Sequence, residues 1–283
     1  MDKESHQDDI ITSTRNPLVK RVRALSRRDA REAEDVVVVE GLRAIVEAVR
    51  AGAGVETILY APDRLRSPLA RETLARTQEQ GAQLVQAGAA VLDALSERDA
   101  SQGAVAVVRR PHATVADIPM TGTPLVIALC EPQDPGNAGT IMRAADGAGA
   151  AAVAIAGKRG VDPFDPKAIR ASMGSIFAVP IIQLGEPMEA LTQLRSRGLL
   201  LAGTSDKGAV DLWDAPLAGP VAILMGNERA GLSADVLAAC DVVARIPLTG
   251  RADSLNVATA AAIFLFEAVR QRGRPSFIRN GEA

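Results

Sequence analysis

The stretch VAILMGNE, residues 221–228, decides the fold class of this chain. Five apolar residues in succession predict a strand that is buried on both faces of a sheet. The strand runs directly into Gly226, where the missing side chain allows close approach to the backbone, and then into the carboxylate of Glu228. Open α/β sheets place their ligands at such strand ends, so this junction is a candidate site. Taken alone, the same stretch also fits an ordinary turn.

Apolar segments of the same kind recur on either side of this stretch. Strands are predicted at residues 125–129, 151–156 and 199–202, and helices at 138–148 and 254–270. Near-continuous apolar strands that alternate with helices are typical of a parallel sheet covered on both faces. The C-terminal part of the chain is therefore predicted to be an α/β domain.

The N-terminal part has a separate pattern of short elements. Helices are predicted at residues 17–28, from Leu42 onward and at 64–80, and strands at 36–39, 55–60, 83–85 and 103–108. This alternation predicts a smaller α/β sandwich of roughly a hundred residues. Turn-forming residues dominate the segment 110–124, which is interpreted as a linker. The predicted division is 1–109, 110–124 and 125–283.

Composition restricts the partners that the chain can have. It has 283 residues, 47% of them hydrophobic, and a net charge of -2, which argues against a nucleic-acid partner. Aromatic residues make up only 2%, so base stacking is not the expected mode of contact. The basic residues nevertheless cluster near the N-terminus, at Arg15, Lys20, Arg21, Arg23, Arg27, Arg28 and Arg31. This basic arm predicts a surface that tracks phosphates, and a solvated helix face is the alternative.

The sequence does not indicate a disulfide framework, a metal site or a membrane segment. Cys130 and Cys240 lie far apart and outside any CxxC pair, which fits a reducing cytoplasm. His6 and His112 are isolated in the sequence, so no metal is expected. Residues 1–10 are polar, and no run approaches the roughly 20 apolar residues of a membrane span. The expected location is the cytoplasm.

The segment GAGAAA, residues 147–152, satisfies the dinucleotide-binding spacing G-x-G-x-x-A. A true fingerprint of that kind follows a strand and opens a helix. This segment instead ends a predicted helix and enters a predicted strand. We therefore interpret its glycines as a helix C-cap and turn.

Two further blocks lie at strand-to-helix junctions. In DPGNAGTIMR, residues 134–143, a turn precedes Asn137 as a plausible N-cap, and Arg143 falls nearly two turns into the helix. IPLTG, residues 246–250, is followed by SLNV, residues 254–257. There Ser254 is predicted to cap the last helix, while Asn256 in its first turn offers both a donor and an acceptor. Each block alone also fits a capped helix or turn without a functional role.

Taken in order, the three blocks resemble the sequence motifs of the SpoU (TrmH-type) family of RNA ribose 2′-O-methyltransferases. The segments NPLVK, residues 16–20, and VEG, residues 39–41, resemble the substrate-binding domain of many members, which is related to ribosomal-protein-like RNA-binding domains. The resemblance implies a C-terminal parallel sheet with a deep trefoil knot (the SPOUT architecture), a rare exception to unknotted topology. It also implies a homodimer with the active site near the interface.

The resemblance further implies the cofactor and the site residues. The cofactor is S-adenosylmethionine, and the matching positions expected to bind it are Gly226, Ile246 and Leu255, with Leu224, Asn227 and Leu248 close by and Gly203-Thr204 as an adenosine loop. The matching catalytic positions are Arg143 at the centre, with Asn137, Glu228, Ser254 and Asn256 around it. Within the basic arm, the residues expected to bind RNA are Arg15, Lys20, Arg21, Arg23, Arg27 and Arg28.

These positions imply a division of chemical tasks. A guanidinium with a pKa above about 12 is not deprotonated in a protein, so Arg143 is expected to hold a phosphate and stabilise a developing alkoxide. Glu228 or the substrate phosphate would then take the proton. Asp253 departs from the family pattern, because members often carry a small or hydroxyl residue at that position.

The expected reaction is methylation of a ribose 2′-hydroxyl, a group that DNA lacks. The two-domain organisation favours 23S ribosomal RNA over transfer RNA as the substrate. Three alternatives stay open at this point: methylation of transfer RNA, a non-catalytic RNA-binding module, and methylation of a base nitrogen.

Overall fold

The computed structural model describes residues 10–96, 101–157 and 160–273. His6, considered above as a metal ligand, lies outside these ranges. Within them, no helix combines the length and the hydropathy that a membrane crossing requires. The chain divides into two compact units, the first comprising Met1–Pro111 and Phe164–Ala178, and the second His112–Pro163 and Val179–Ala283.

A four-stranded sheet forms the centre of the first unit. Its strands are β1 (Val36–Glu40), β2 (Val55–Tyr60), β3 (Gln83–Gln86) and β4 (Ala104–Arg109), all close to their predicted positions. They lie in the order β1-β4-β2-β3, with β4 antiparallel to both neighbours and β3 parallel to β2. Apolar side chains of β1, β2 and β4 meet those of the first helix in a shared core that includes Val19, Val36, Leu59, Val105 and Val107.

Five helices of the described chain accompany this sheet, and a side-chain oxygen caps two of them, Asn16 for the helix that begins at Pro17 and Ser67 for the helix that begins at Pro68. The five helices are α1 (Pro17–Ala24), α2 (Arg28–Glu34), α3 (Leu42–Arg50), α4 (Pro68–Glu79) and α5 (Ala89–Asp93). The single helix predicted at residues 17–28 is therefore wrong, because the chain breaks after α1. The Arg31 guanidinium stabilises the break by donating to the carbonyl oxygens of Leu25 (3.0 Å) and Ser26 (2.6 Å).

The second unit contains a seven-stranded parallel sheet. Its strands are β5 (Leu125–Cys130), β6 (Ala152–Ala156), β7 (Ile181–Leu184), β8 (Leu200–Thr204), β9 (Val210–Asp211), β10 (Val221–Met225) and β11 (Val242–Arg245). They lie in the order β7-β6-β5-β10-β8-β11-β9, and every pair is parallel. The predicted α/β class with a parallel sheet is confirmed. The central strands β5, β6 and β10 are buried along their whole length, as their apolar runs predict.

The helices that follow β5 are α6 (Pro135–Gly147), α7 (Pro166–Ser172), α8 (Ser175–Ala178), α9 (Pro187–Ser196), α10 (Ala234–Ala239) and α11 (Val257–Gln271). The turn after α6 confirms the interpretation of the GAGAAA segment. Gly149 has a φ of +66°, and the nitrogen of Ala150 donates to the oxygen of Ala145 at 2.9 Å before the chain enters β6. No helix begins there to receive a pyrophosphate.

The segment Phe164–Ala178 lies with the first unit, which the linear division 1–109 and 125–283 did not anticipate. Helix α7 packs against β1, and α8 packs against α3. Gly174 allows the close approach to α3, since a Cβ at that position would lie 2.5 Å from Cβ of Glu47. The guanidinium of Arg110 also lies 4.7 Å from the centre of the Phe164 ring. These contacts join residues far apart in sequence, so local patterns do not reveal them.

The segment 110–124, interpreted above as a linker, is partly built into the second unit. A short 3-10 helix forms at Val115–Asp117, and Ala113 forms a parallel bridge with Ile182. Ile118 is only 1% exposed and joins the core around β5 and β10. Its turn-forming residues therefore shape a segment that packs against the domain.

Candidate active site

A pocket opens at the carboxyl ends of β8, β10 and β11. The chain leaves β8 at Thr204, leaves β10 at Met225, and leaves β11 just before Ile246; the loop after β11 then leads into α11. The pocket contains about 530 Å³ of empty space, counting its open mouth. Parallel strands end at the same edge of a sheet, so loops that are distant in sequence form one cavity.

The walls of this pocket are mainly apolar. They include Met225 at the end of β10, Ile246 and Leu248 in the loop, Leu255, and Phe264 of α11. Thr204 also lines the pocket, and its hydroxyl donates to the carbonyl oxygen of Leu224 at 2.9 Å, which joins β8 to β10 at the pocket's edge. A mostly apolar cavity with a few polar groups at one rim is suited to a flat organic ligand.

The packing of the loop after β10 explains why position 226 is a glycine. Asn227 and Gly231 exchange two backbone hydrogen bonds, of 3.1 and 2.9 Å, which fold the loop back on itself. A Cβ on Gly226 would lie 2.1 Å from the carbonyl carbon of Gly231 and 2.3 Å from the nitrogen of Leu232. The glycine is therefore required by backbone crossing, whereas the sequence had suggested only room for a ligand.

Glu228 lies beside the N-terminus of α6. Its carboxylate accepts hydrogen bonds from the backbone nitrogens of Gln133 (3.0 Å) and Asp134 (3.1 Å) and from the side-chain nitrogen of Asn137 (3.3 Å). Burial acts to raise the pKa of Glu228, but the backbone donors and the Asn137 amide together lower it below the ordinary value. Glu228 is thus an ionised acceptor at neutral pH and a weak base.

Asn256 connects this carboxylate to the last helix. Its side-chain oxygen caps α11 by accepting from the nitrogens of Ala258 (2.8 Å) and Thr259 (3.3 Å). Its side-chain nitrogen donates to Oδ1 of Asn137 at 3.1 Å. A chain of hydrogen bonds therefore runs from Glu228 through Asn137 to Asn256, and we call these three residues the amide–carboxylate cluster.

Two predicted helix caps are corrected by this geometry. Ser254 was expected to cap the last helix, but α11 begins at Val257 and Asn256 caps it. Asn137 was expected to cap α6, but Asp134 does so by accepting from the nitrogen of Asn137 at 2.9 Å. In each case the residue that caps the helix lies two or three positions from the predicted one, and the backbone geometry determines which side chain reaches the free nitrogens.

The structure brings some of the predicted residues together and leaves others apart. Thr204, Ile246, Leu248, Ser254 and Leu255 line the pocket. Leu224, Gly226 and Asn227 lie in the adjoining strand and loop, and a Cβ on Gly203 would lie 2.7 Å from Sγ of Cys240, so that glycine serves internal packing. Arg143 is exposed on α6, and its side chain has no hydrogen bond or ion pair with another described residue.

Sequence reasoning missed several residues of the site. Ser205 and Asp206 line the pocket directly after β8, and Gln133 contributes a backbone donor to Glu228. The signal for Ser205 and Asp206 was available, because two polar residues follow an apolar strand at the edge where ligands bind. Asp253, noted above as a departure from the family pattern, also lines the pocket.

The basic arm is less cationic than its sequence suggests. Arg21 pairs with Glu34 (2.7 Å) and Glu56 (3.1 Å), Arg27 pairs with Asp29, and Arg28 pairs with Glu32 (2.7 Å). Arg31 is 2% exposed and serves the backbone. The exposed cations of the arm without an ion-pair partner among the described residues are Arg15, Lys20 and Arg23.

The fold and site define an α/β protein with an organic-ligand pocket and an adjacent polar cluster at the carboxyl edge of a parallel sheet. Two family models match it: the SpoU rRNA Methylase family over residues 124–266 and the MRM3-like substrate binding domain over residues 16–106.

Relatives agree with both matches. The chain is 36% identical over 253 residues to a 23S rRNA (uridine(2479)-2′-O)-methyltransferase of Streptomyces viridochromogenes, covering 88% of this chain and 87% of the relative. It is 31% identical over 256 residues to the 23S rRNA (guanosine(2553)-2′-O)-methyltransferase RlmP of Bacillus subtilis, covering 90% and 97%. An AdoMet-bound rRNA methyltransferase from Sinorhizobium meliloti superposes with a TM-score of 0.83 at 35% identity, covering 92% of this chain and 97% of that one. The chain belongs to the SpoU rRNA methylase family.

Proposed function

We propose that this chain transfers a methyl group from S-adenosylmethionine to a ribose 2′-hydroxyl of 23S ribosomal RNA, in the cytoplasm. The observation that carries the proposal is the position of the apolar pocket beside the amide–carboxylate cluster at one edge of the sheet. The pocket is suited to a cofactor, and the amide–carboxylate cluster is suited to a polar substrate. The relatives named above are rRNA 2′-O-methyltransferases, which supports the same reaction.

The residues of the pocket fit S-adenosylmethionine. Ile246, Leu248 and Leu255 offer apolar surface to an adenine ring, while the carboxylates of Asp206 and Asp253 suit a cationic and hydroxylated ligand. When bound, the cofactor supplies a methyl group on a positively charged sulfur, which the ribose oxygen takes as the sulfur leaves in S-adenosylhomocysteine. The 2′-hydroxyl loses its proton in the same reaction. The protein must therefore align the ribose oxygen and favour loss of its proton.

The amide–carboxylate cluster orients the substrate side of the site. The cluster fixes the Asn137 side chain in one orientation, because its oxygen accepts from Asn256 and its nitrogen donates to Glu228. Glu228 also immobilises the turn before α6 through two backbone donors. With its pKa lowered, Glu228 is a weak base and is better suited to positioning than to proton removal.

Arg143 does not line the pocket, so we infer that a second copy of the chain completes the site around it. Its guanidinium stays charged and is suited to holding a phosphate and stabilising negative charge on the ribose oxygen. We propose that two copies of the chain pair through α6 and α11, where Phe266 is 50% exposed beside Gly147. This pairing would place Arg143 at a composite site. Sedimentation equilibrium should give a dimer for the wild type and a monomer for Phe266→Glu, and a monomeric wild type would remove this part of the proposal.

The first unit is proposed to bind the RNA outside the reacting nucleotide. Arg15, Lys20 and Arg23 offer exposed positive charge, and the family match over residues 16–106 is to a substrate-binding domain. Such contacts track phosphates without reading sequence. The named targets of the relatives differ in base, uridine in one and guanosine in the other, so the target nucleotide must be mapped directly.

The test is a comparison of RNA from cells with and without the gene. Mapping 2′-O-methyl groups should reveal one 23S rRNA position that is methylated only when the gene is present. Complementation with Arg143→Ala should leave that position unmethylated, which separates catalysis from mere RNA binding. A difference confined to transfer RNA would establish the alternative substrate, and no difference in any RNA would contradict the proposed function.

A further inference from the structure

The pocket has an unbalanced charge. Two of its lining residues are aspartates, Asp206 after β8 and Asp253 in the loop before α11, whereas none of its described lining residues is Lys, Arg or His. The remaining lining residues are apolar or carry neutral polar side chains. A ligand in this pocket therefore experiences two carboxylates and no lining cation.

Nearby cations do not cancel this charge from within the pocket. Arg245 is paired with Asp211 at 2.7 Å, and Lys207 and Arg251 are close in sequence to the two aspartates but do not line the cavity. The Ser205 hydroxyl donates to Oδ1 of Asp206 at 3.3 Å, which helps to hold this carboxylate at the pocket's edge. The negative potential in the pocket therefore comes from the carboxylates of Asp206 and Asp253, which lie in the loops that form it.

The reaction changes the charge of the ligand in such a pocket. S-Adenosylmethionine carries a positive sulfonium. When the methyl carbon bonds to the ribose oxygen and its bond to sulfur breaks, the sulfur becomes a neutral thioether. We propose that Asp206 and Asp253 make the pocket prefer the cationic methyl donor over its neutral product, and so favour product release. This inference rests on the proposed function, because it requires that the cofactor binds in this pocket.

The size of the preference for the methyl donor depends on how exposed the two aspartates are to solvent. Both aspartates are exposed, so each interaction is screened and contributes about two- to fivefold in relative affinity. Screening by salt weakens the preference further, since the Debye length falls from roughly 30 Å at 0.01 M to about 3 Å at 1 M. Apolar contacts with the shared adenosine portion do not distinguish the two ligands.

Calorimetric titration of the full-length protein with S-adenosylmethionine and with S-adenosylhomocysteine tests the proposal. Asp206→Asn and Asp253→Asn should each lower the ratio of the two affinities by about two- to fivefold, mainly by weakening the methyl donor. Asp235→Asn, which removes an exposed carboxylate on α10 outside the pocket, is the matched control and should leave the ratio unchanged. High salt should lower the wild-type ratio toward the ratios of these two variants.

An analogue with a protonated amine in place of the sulfonium separates charge from the methyl group. It should lose affinity in the two pocket variants as the methyl donor does. Equal loss for charged and neutral ligands, or an unchanged ratio, would overturn the charge preference while leaving the proposed function intact. Wild-type protein that binds none of the three ligands would contradict the proposed function itself, and this inference with it.

Discussion

The pocket and the amide–carboxylate cluster lie at the same edge of the sheet but are built by different forces. Apolar side chains from the ends of β10 and β11, from the loop after β11 and from α11 form most of the pocket, so packing determines its shape. The cluster is held by directional hydrogen bonds between Glu228, Asn137 and Asn256. Packing tolerates moderate changes of shape, whereas a hydrogen-bonded array loses its geometry when one member changes.

This difference separates two functional tasks. A pocket shaped by packing suits a constant ligand such as the cofactor, and its variants should change affinity. An array with fixed amide orientations suits alignment of a reacting group, and its variants should change turnover. Measurement of cofactor affinity and of kcat on the same variants therefore tests the division.

The largest effect is expected for Arg143→Ala. Removing the positive charge that stabilises the developing alkoxide should lower kcat about 10²- to 10³-fold. Cofactor affinity should stay within about twofold, because Arg143 does not line the pocket. Single-turnover kinetics at saturating cofactor measures this, with the exposed Arg76 of α4 changed to Ala as the control. Near-normal turnover would show that Arg143 is not central.

Glu228→Gln should lower kcat about 10- to 100-fold through misalignment of the turn before α6. Asn256→Asp, which keeps the helix cap but removes the donor to Asn137, should act in the same direction. If Glu228 were the general base instead, the acidic limb of the pH–rate profile, where the rate rises as Glu228 ionises, would disappear in Glu228→Gln.

The lowered pKa of Glu228 also predicts a pH-dependent stability. A carboxylate with a depressed pKa stabilises the folded state fully above its ordinary value of 4.5, and this contribution is lost as pH falls through the lower folded value. Glu228→Gln should therefore be less stable than the wild type by about 1 kcal/mol at neutral pH. Denaturant unfolding should show the two proteins converging in acid, and a gap that widens there would contradict the assigned ionisation.

A smaller effect is expected on the pocket side. Leu255→Ala removes apolar surface from the wall and should weaken cofactor binding by about tenfold. Turnover at saturating cofactor should change less than about threefold, because the hydrogen bonds of the cluster are untouched. Calorimetry and kinetics on one preparation provide both values. A loss confined to kcat would mean that the pocket and the cluster do not have separate tasks.

The smallest effects are expected in the basic arm. Lys20→Ala and Arg23→Ala should each weaken RNA binding about threefold at low salt, and they should reduce the steepness of its salt dependence. Arg28→Ala is the matched control, because the Arg28 guanidinium already pairs with Glu32. Filter binding over a salt series distinguishes them. If the paired and unpaired arginine variants lost RNA affinity equally, the whole basic arm would act as a single cationic surface.

Long-range apolar periodicity made much of this fold predictable. Buried strands such as β5 and β10 are continuous apolar runs, and both lie where they were expected. The edge strands β7 and β9, and β11 beside β9, are short and partly exposed, so they lack that signal. The placement of Phe164–Ala178 with the first unit depends on tertiary contacts of Gly174 and Phe164, which no local pattern encodes.

The candidate site was predictable in composition but not in arrangement. The motif blocks contained Glu228, Asn137 and Asn256, yet their hydrogen bonds join positions up to 119 residues apart. The role of Gly226 in its own loop and the ion pairs within the basic arm became apparent only from the folded chain. The trefoil knot and the homodimer that the family resemblance implies stay predictions.

The most direct test of the central claim is the chemical position of the transferred methyl group. Wild-type protein should be incubated with methyl-labelled S-adenosylmethionine and ribosomal RNA from cells that lack the gene, and the product hydrolysed in alkali. A ribose methyl group blocks cleavage at its own phosphodiester, so the label is expected in alkali-resistant dinucleotides. Label released in mononucleotides would show methylation of a base and contradict it.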